Sequence, residues 1–353
     1  MQKHPIDSSK KKFLLKPIPL YVSILLLLPL LSLSIFLKEP KKAVEPTKVE
    51  SDTGDMRVNN YESKVIRLNQ NGLIKPLLLA EIETQDNQLE SAKEKINEYI
   101  QQKKQAGIIT SASVYLNTLN TGNHVELYPD ELYDPASIIK VACMLVYLKQ
   151  AETNPALMQQ RFVFKPRNDK LYQATVKSKT IVAGKSYTVE ELLYSMIVYS
   201  DNEAFWLLSD RVDDTIFDKL CTDFGIPIKN DNVKRGNNQP NFVANVNSIS
   251  RFFRVLYSAT YLNQKMSQYA LNLLLQSDYK EGIVKGVDSS IPIAHKFGER
   301  TEFGISQLHE FGIVYLDKNP YLIGIMTKGP GIAQQTNVIS DISKIAFDVL
   351  KTK

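Results

Sequence analysis

Strand-like runs sit at both ends of this chain, with helical sequence between them. Thr110–Leu119 alternates β-branched and polar residues, and Asn120-Thr121-Gly122 then leads into His124–Tyr128, which is the pattern of a β-hairpin. Three further strand-like runs, Ile291–Lys296, Phe311–Leu316 and Tyr321–Thr327, lie near the other end and are separated by Gly- and Pro-containing turns. Residues 134–280 read as mostly helical. The fold class this predicts is α+β: one antiparallel sheet built from both chain ends and packed against helices, beside an all-helical lobe. Leu89, Ala92, Ile96, Tyr99 and Ile100 recur at helical spacing, so a helix is expected over 86–105, ending near Gly107. Val338, Ile342, Ile345 and Val349 mark a closing helix. No internal repeat is present.

Residues 17–37 carry no charge across 21 positions, about 31 Å as a helix and enough to cross a bilayer core. Five lysines precede this run and three follow it, a bias that puts the N-terminus inside and the remainder outside. The expected organisation is a basic cytoplasmic segment (1–16), a transmembrane anchor (17–37), a linker (38–87) and a catalytic domain (88–353). A cleaved signal peptide is the alternative, with Ser32-Leu33-Ser34 as a weak processing site. Either way the domain works outside the cytoplasm, and localisation at the cell membrane is expected. The 353 residues carry a net charge of +5, most of it before residue 43, so no nucleic-acid surface is indicated. Two cysteines and four histidines give neither a disulfide framework nor zinc spacing, so no metal or other cofactor is expected. Cys143 lies in an apolar helical run and reads as a small buried residue, although a disulfide with Cys221 would be chemically permitted outside the cytoplasm.

Three short motifs carry the chemistry. In Asp134-Pro135-Ala136-Ser137-Ile138-Ile139-Lys140, Asp at an N-cap and Pro at the first helical position predict a helix start. Ser137 then falls where backbone N–H groups lack partners and can stabilise an oxyanion, and Lys140 lies on the same face one turn on. Ser-x-x-Lys also occurs at Ser8, Ser9 and Ser277, so only the apolar helix that follows distinguishes this copy. Ser200-Asp201-Asn202 follows a helix opened by the capping box Thr188–Glu191, and Ser200 with Glu203 reads as a capping box for a helix over Ala204–Val212. Lys296-Phe297-Gly298 ends a strand, where a snorkelling lysine and a turn glycine are the bland alternative.

Taken together, in the order Ser-x-x-Lys, Ser-Asp-Asn, Lys-x-Gly, the motifs resemble those of the class A β-lactamase family and the related penicillin-binding serine transpeptidases and carboxypeptidases. The similarity extends over roughly residues 88–353, through Asn117–Gly122, Thr188–Asp201 and His309–Gly329. It implies Ser137 as the acylated nucleophile and Lys140 as its proton acceptor. Ser200 would relay a proton to the departing nitrogen, and Lys296 would supply positive charge near Ser200 and the substrate carboxylate. Asn202, Gly298, Glu299 and Arg300 fall on the substrate-binding side. Asn202 would bind the substrate amide, and the N–H groups of Ser137 and Glu299 would form the oxyanion hole. Asp201 would order the loop. The implied substrate is a β-lactam or a peptidoglycan-type peptide, handled by a monomer.

Two departures from that pattern bear on function. Phe297 stands where the family carries Thr or Ser, and it cannot donate a hydrogen bond to a carboxylate; Arg300 offers a compensating guanidinium. The class A enzymes activate the deacylating water with a loop Glu after the Ser-Asp-Asn helix, yet residues 204–280 contain no Glu, and Asp231 is the only carboxylate of the candidate loop 229–245. Easy acylation and slow deacylation are therefore expected. A penicillin-binding sensor or cell-wall binder that does not turn over is the alternative from another functional class.

Overall fold

The computed structural model describes residues 63–67, 77–82, 86–166, 176, 178–226, 243–317 and 319–351. The apolar run 17–37, residues 38–60 of the expected linker and most of the loop holding Asp231 lie outside the described residues. Among the described residues no helix is long and apolar enough to cross a membrane.

A five-stranded antiparallel sheet is built from both chain ends, as the strand distribution predicts. Its strands are β3 (Ser111–Thr118), β4 (His124–Leu127), β7 (Ile293–Glu302), β8 (Ile305–Val314) and β9 (Tyr321–Gly329), in the order β4-β3-β9-β8-β7. Among the described residues two smaller antiparallel pairs complete the strands, β1 (Ser63–Arg67) with β2 (Leu77–Ile82) and β5 (Arg161–Val163) with β6 (Ser186–Thr188). The first pair lies in the span read from sequence as linker. Its Leu78 and Leu79 are buried, and Ala80 O accepts a 3.0 Å hydrogen bond from Arg254 Nη2, so this part of 38–87 packs with the domain.

Helices α1 (Asn87–Gln105) and α8 (Ile332–Leu350) cover one face of the sheet, with Leu89, Ile96, Val338 and Ile342 in a shared core. The Asp86 side chain caps α1 by accepting from the N–H groups of Gln88 and Leu89. The other face packs against the helical lobe: α2 (Ile139–Ala151), α3 (Val189–Val198), α4 (Asn202–Ser209), α5 (Asp214–Asp223), α6 (Val246–Tyr257) and α7 (Gln264–Leu275). At the centre is α2, in which every residue from Lys140 to Leu148 is buried. A helix that is apolar all round belongs in a core, and Lys140 is the only charge within that stretch.

Cys143 and Cys221 are both buried and free. Phe311 joins the sheet to the lobe: its ring is fully buried, stacks on Phe253 at 5.8 Å, and occupies the space over Gly324, where a Cβ would come within 2.3 Å of it. Phe311→Ala is expected to cost about 3–5 kcal/mol, read as a lowered urea midpoint at constant slope. An unchanged midpoint would contradict this packing account.

The strand ends differ from the sequence expectation. β7 runs six residues past Lys296 and β8 starts six residues before Phe311, so Gly298 lies within a strand and the turn falls at Phe303-Gly304. Local sequence made Gly298 look like punctuation, whereas a close tertiary contact is what requires it.

Candidate active site

The turn carrying Ser137 is tighter than an ordinary helix start. Asp134 Oδ1 accepts a 2.8 Å hydrogen bond from Ala136 N–H, Ala136 adopts φ +49°, and residues Ala136–Ile138 form a 3₁₀ turn that continues into α2. Pro135, not Asp134, holds the N-cap position of the turn, and α2 itself begins only at Ile139; Asp134 braces the turn from one residue earlier. A left-handed Ala costs about 1–2 kcal/mol, strain that must be supported from outside the turn.

Two lysines converge on one hydroxyl. Lys140 Nζ donates to Ser200 O at 2.6 Å and to Asn202 Oδ1 at 2.6 Å, and lies 3.3 Å from Ser200 Oγ. Lys296 Nζ donates to the same Oγ at 2.8 Å and to Phe297 O at 2.8 Å. Both side chains are buried. Loss of hydration lowers the Lys140 ammonium to about 7, opposed mainly by the Asp201 carboxylate and more weakly by Cys143 and Glu299. Burial, and then the neighbouring Lys140, hold Lys296 well below the ordinary lysine range. Two ammonium groups sharing one buried hydroxyl repel each other, and each favours the neutral form of the other. A neutral Lys140 amine has two N–H donors, matching its two short acceptors, and keeps a lone pair that can take a proton.

Ser200 itself adopts φ +53°. The cap of α4 is Asp201, which accepts from Glu203 N–H at 2.9 Å, so the expected Ser200–Glu203 capping box does not form and the Ser200 hydroxyl is left to the lysines. Asp201 also accepts from Thr180 Oγ1 at 2.8 Å and from Ile181 N–H at 2.9 Å, the loop-ordering task expected of it.

Strand β7 forms the opposite wall and is the sheet's edge. A Cβ on Gly298 would sit 2.8 Å from Ser137 N, 2.9 Å from Ile138 N and 2.9 Å from Pro135 O, so only glycine allows the strand to lie against the Ser137 turn. Phe297 is buried against Tyr279, ring centres 4.2 Å apart, with Lys296 Nζ 4.4 Å from the Phe297 ring. The Glu299 carboxylate is buried and accepts from Val176 N–H at 2.7 Å. Arg300, expected to face a substrate carboxylate, pairs with Asp134 Oδ2 at 2.7 Å and Glu302 Oε2 at 3.0 Å.

Ser137, Lys140, Ser200, Asn202, Lys296 and Gly298 are thus brought to one place. The Glu299 carboxylate, Gln307 and His309 were missed as site components. Alternation along β8 could have pointed to the last two, since Gln307 pairs in register with Arg300 and His309 with Gly298. Among the described residues no cluster of His, Cys, Asp and Glu could hold a metal ion. What the arrangement can do is exchange a proton between the Ser200 hydroxyl and the amines of Lys140 and Lys296.

A family model described as the Beta-lactamase enzyme family matches residues 91–350. No curated protein matches the chain. Among solved structures, the PBP-A mutant in an acyl-enzyme complex with penicillin G superposes with TM-score 0.61 at 17% identity, over 75% of this chain and 98% of that one. The TLA-1 extended-spectrum β-lactamase gives 0.64 at 15%, covering 75% and 100%. A β-lactamase from Sphaerobacter thermophilus gives 0.60 at 18%, covering 72% and 95%. At such identities the likeness to these structures is one of fold. The family match spans most of the chain and includes all three motifs, so the chain belongs to the β-lactamase enzyme family and is a serine hydrolase.

Proposed function

We propose that this is a membrane-tethered, extracytoplasmic serine hydrolase that forms an acyl-enzyme on Ser137 with a β-lactam or a D-Ala-D-Ala-type peptide and releases it slowly. The observation carrying this reading is the convergence of Lys140 and Lys296 on the Ser200 hydroxyl, beside a nucleophile turn packed on Gly298. In acylation the Ser137 Oγ–H proton passes to the neutral Lys140 Nζ as the Oγ–C bond forms. The Ser200 hydroxyl then protonates the nitrogen as the C–N bond breaks, and a lysine replaces the Ser200 proton. Asn202 Oδ1 is held by Lys140, so its amide NH₂ is the end that would meet the substrate amide. The N–H groups of Ser137 and Glu299 would receive the oxyanion.

Slow release follows from the sequence. With no Glu in residues 204–280, the water that should hydrolyse the ester lacks the family's base, and Asp231 is one methylene shorter. Stopped-flow mixing with a chromogenic cephalosporin is expected to show a burst of one equivalent followed by a slow steady state. Rapid linear turnover without a burst would contradict this. The burial of Phe297, where the family has a hydroxyl, favours a second reading: a penicillin-binding sensor or cell-wall binder whose ester persists. In that case the burst is followed by no turnover.

Because the base must be neutral to accept a proton, acylation should rise with pH through the Lys140 value of about 7 and level off above it. Below it, each pH unit should cost about tenfold. A burst rate independent of pH from about 5 to about 9 would exclude Lys140 as the base. The uncharged run 17–37 supports attachment to the membrane. Recovery of the intact chain in the membrane fraction after a carbonate wash is expected, and a soluble chain starting after residue 34 would instead indicate cleavage.

A further inference from the structure

We infer that Asp134, Arg300, Gln307 and His309 form a clamp that holds the strained Ser137 turn in its attacking geometry, so that Arg300 acts through Asp134 and does not read a substrate carboxylate. This rests on Ser137 being the nucleophile. Asp134 is gripped at every polar position: its N–H donates to Gln307 Oε1 at 3.1 Å, its carbonyl accepts from His309 Nε2 at 2.8 Å, and its Oδ2 meets Arg300 Nη1 at 2.7 Å. The remaining carboxylate oxygen, Oδ1, accepts the Ala136 N–H. All three gripping side chains belong to the β7–β8 hairpin, while the gripped residue lies three positions before Ser137. The hairpin therefore sets the φ +49° conformation at Ala136, and through it the position of the Ser137 hydroxyl.

The His309 arm has a fixed proton arrangement. Its Nδ1 accepts from Thr327 N–H at 3.2 Å, which leaves the proton on Nε2 to donate to Asp134 O. Burial lowers its titration to about 3, so this arm stays neutral through the working range. Arg300 is poorly placed for a ligand carboxylate, because it faces two carboxylates, Asp134 and Glu302, and the local charge is net negative.

The test compares Asp134→Asn, Arg300→Ala, Arg300→Lys and the Asp134→Asn/Arg300→Ala double variant in the full-length chain. The acylation rate constant is measured with penicillin G and with the carboxylate-free methyl ester of the same penicillin. A clamp predicts that Arg300→Ala slows acylation of both probes by a similar factor, about tenfold to a hundredfold. It also predicts partial recovery in Arg300→Lys, and a double variant no slower than the worse single one. Loss confined to the acid form in Arg300→Ala, with Asp134→Asn unaffected, would overturn the clamp and return Arg300 to carboxylate binding. Amide hydrogen exchange supplies a readout independent of acylation: protection of Ala136 and Ile138, whose N–H groups are bonded to Asp134 Oδ1 and Pro135 O, should fall in both single variants while α2 is unchanged. Unchanged protection at these two amides would also overturn the clamp. Should the unmodified protein take up neither probe, the acyl-enzyme reading fails by itself, and hydrogen exchange still decides whether the clamp exists.

Discussion

In a Lys140→Met variant, acylation of Ser137 by penicillin G is expected to slow by about two to four orders of magnitude, while the fold is retained or strengthened. Nζ is the only atom within the fully buried stretch 140–148 of α2 able to change protonation near neutrality, and its two short donor bonds aim its remaining valence away from Ser200 O and Asn202 Oδ1. Met removes the base but keeps the volume. The stability sign follows from linkage. The folded value lies below the unfolded one, so burying Lys140 opposes folding, most strongly at pH below about 7, and the penalty fades as pH rises toward 10.5. Removing the group should therefore raise the melting temperature or leave it unchanged at neutral pH while activity collapses. Acylation at the unmodified rate would transfer the role of base to another group, and a large drop in melting temperature would mean that the lysine is chiefly structural.

Gly298→Ala carries the second large effect. The added methyl would lie 2.8–2.9 Å from three backbone atoms of the Ser137 turn, Ser137 N, Ile138 N and Pro135 O, and backbone cannot swing aside as a side-chain tip can. β7 must retreat, taking the Glu299 N–H with it, so the two N–H groups proposed to receive the oxyanion separate. A displacement near 1 Å is worth about a hundredfold in rate. Gly298→Val should exceed that. The readout is the acylation rate constant beside a far-ultraviolet circular dichroism spectrum, which should be unaltered. An alanine variant acylated at the unmodified rate would show that the strand and turn need not lie in contact.

The fold was legible because its signals are local and redundant. Alternation marked β3, a turn signal marked β4, a short apolar run between turns marked β9, apolar spacing marked α1 and α8, and their positions at the two chain ends left one sheet as the economical arrangement. The site was legible as three short motifs, two of them at the start of a helix and the third inside β7. What local sequence misread were positions decided by distant partners. Gly298 resembled a turn glycine, but its requirement comes from Ser137 N, far away in the chain. Ser200 resembled a cap, but Asp201 competes for that task and the two lysines claim the hydroxyl. Arg300 invited a carboxylate, and nothing local shows that Asp134 provides one, just as nothing local joins Asp134 to Gln307, 173 residues away. The pairing of β1 with β2 was obscured because Pro76 interrupts an apolar run too short to classify by period.

The most direct test of Ser137 as an acylated nucleophile is intact-protein mass spectrometry after rapid-quench exposure to penicillin G, followed by peptide mapping. Ring opening expels no fragment, so the chain should gain the full mass of one penicillin, located on the peptide that contains Ser137 and absent from Ser137→Ala. No added mass at any quench time, or an adduct mapped to another residue, would contradict the account.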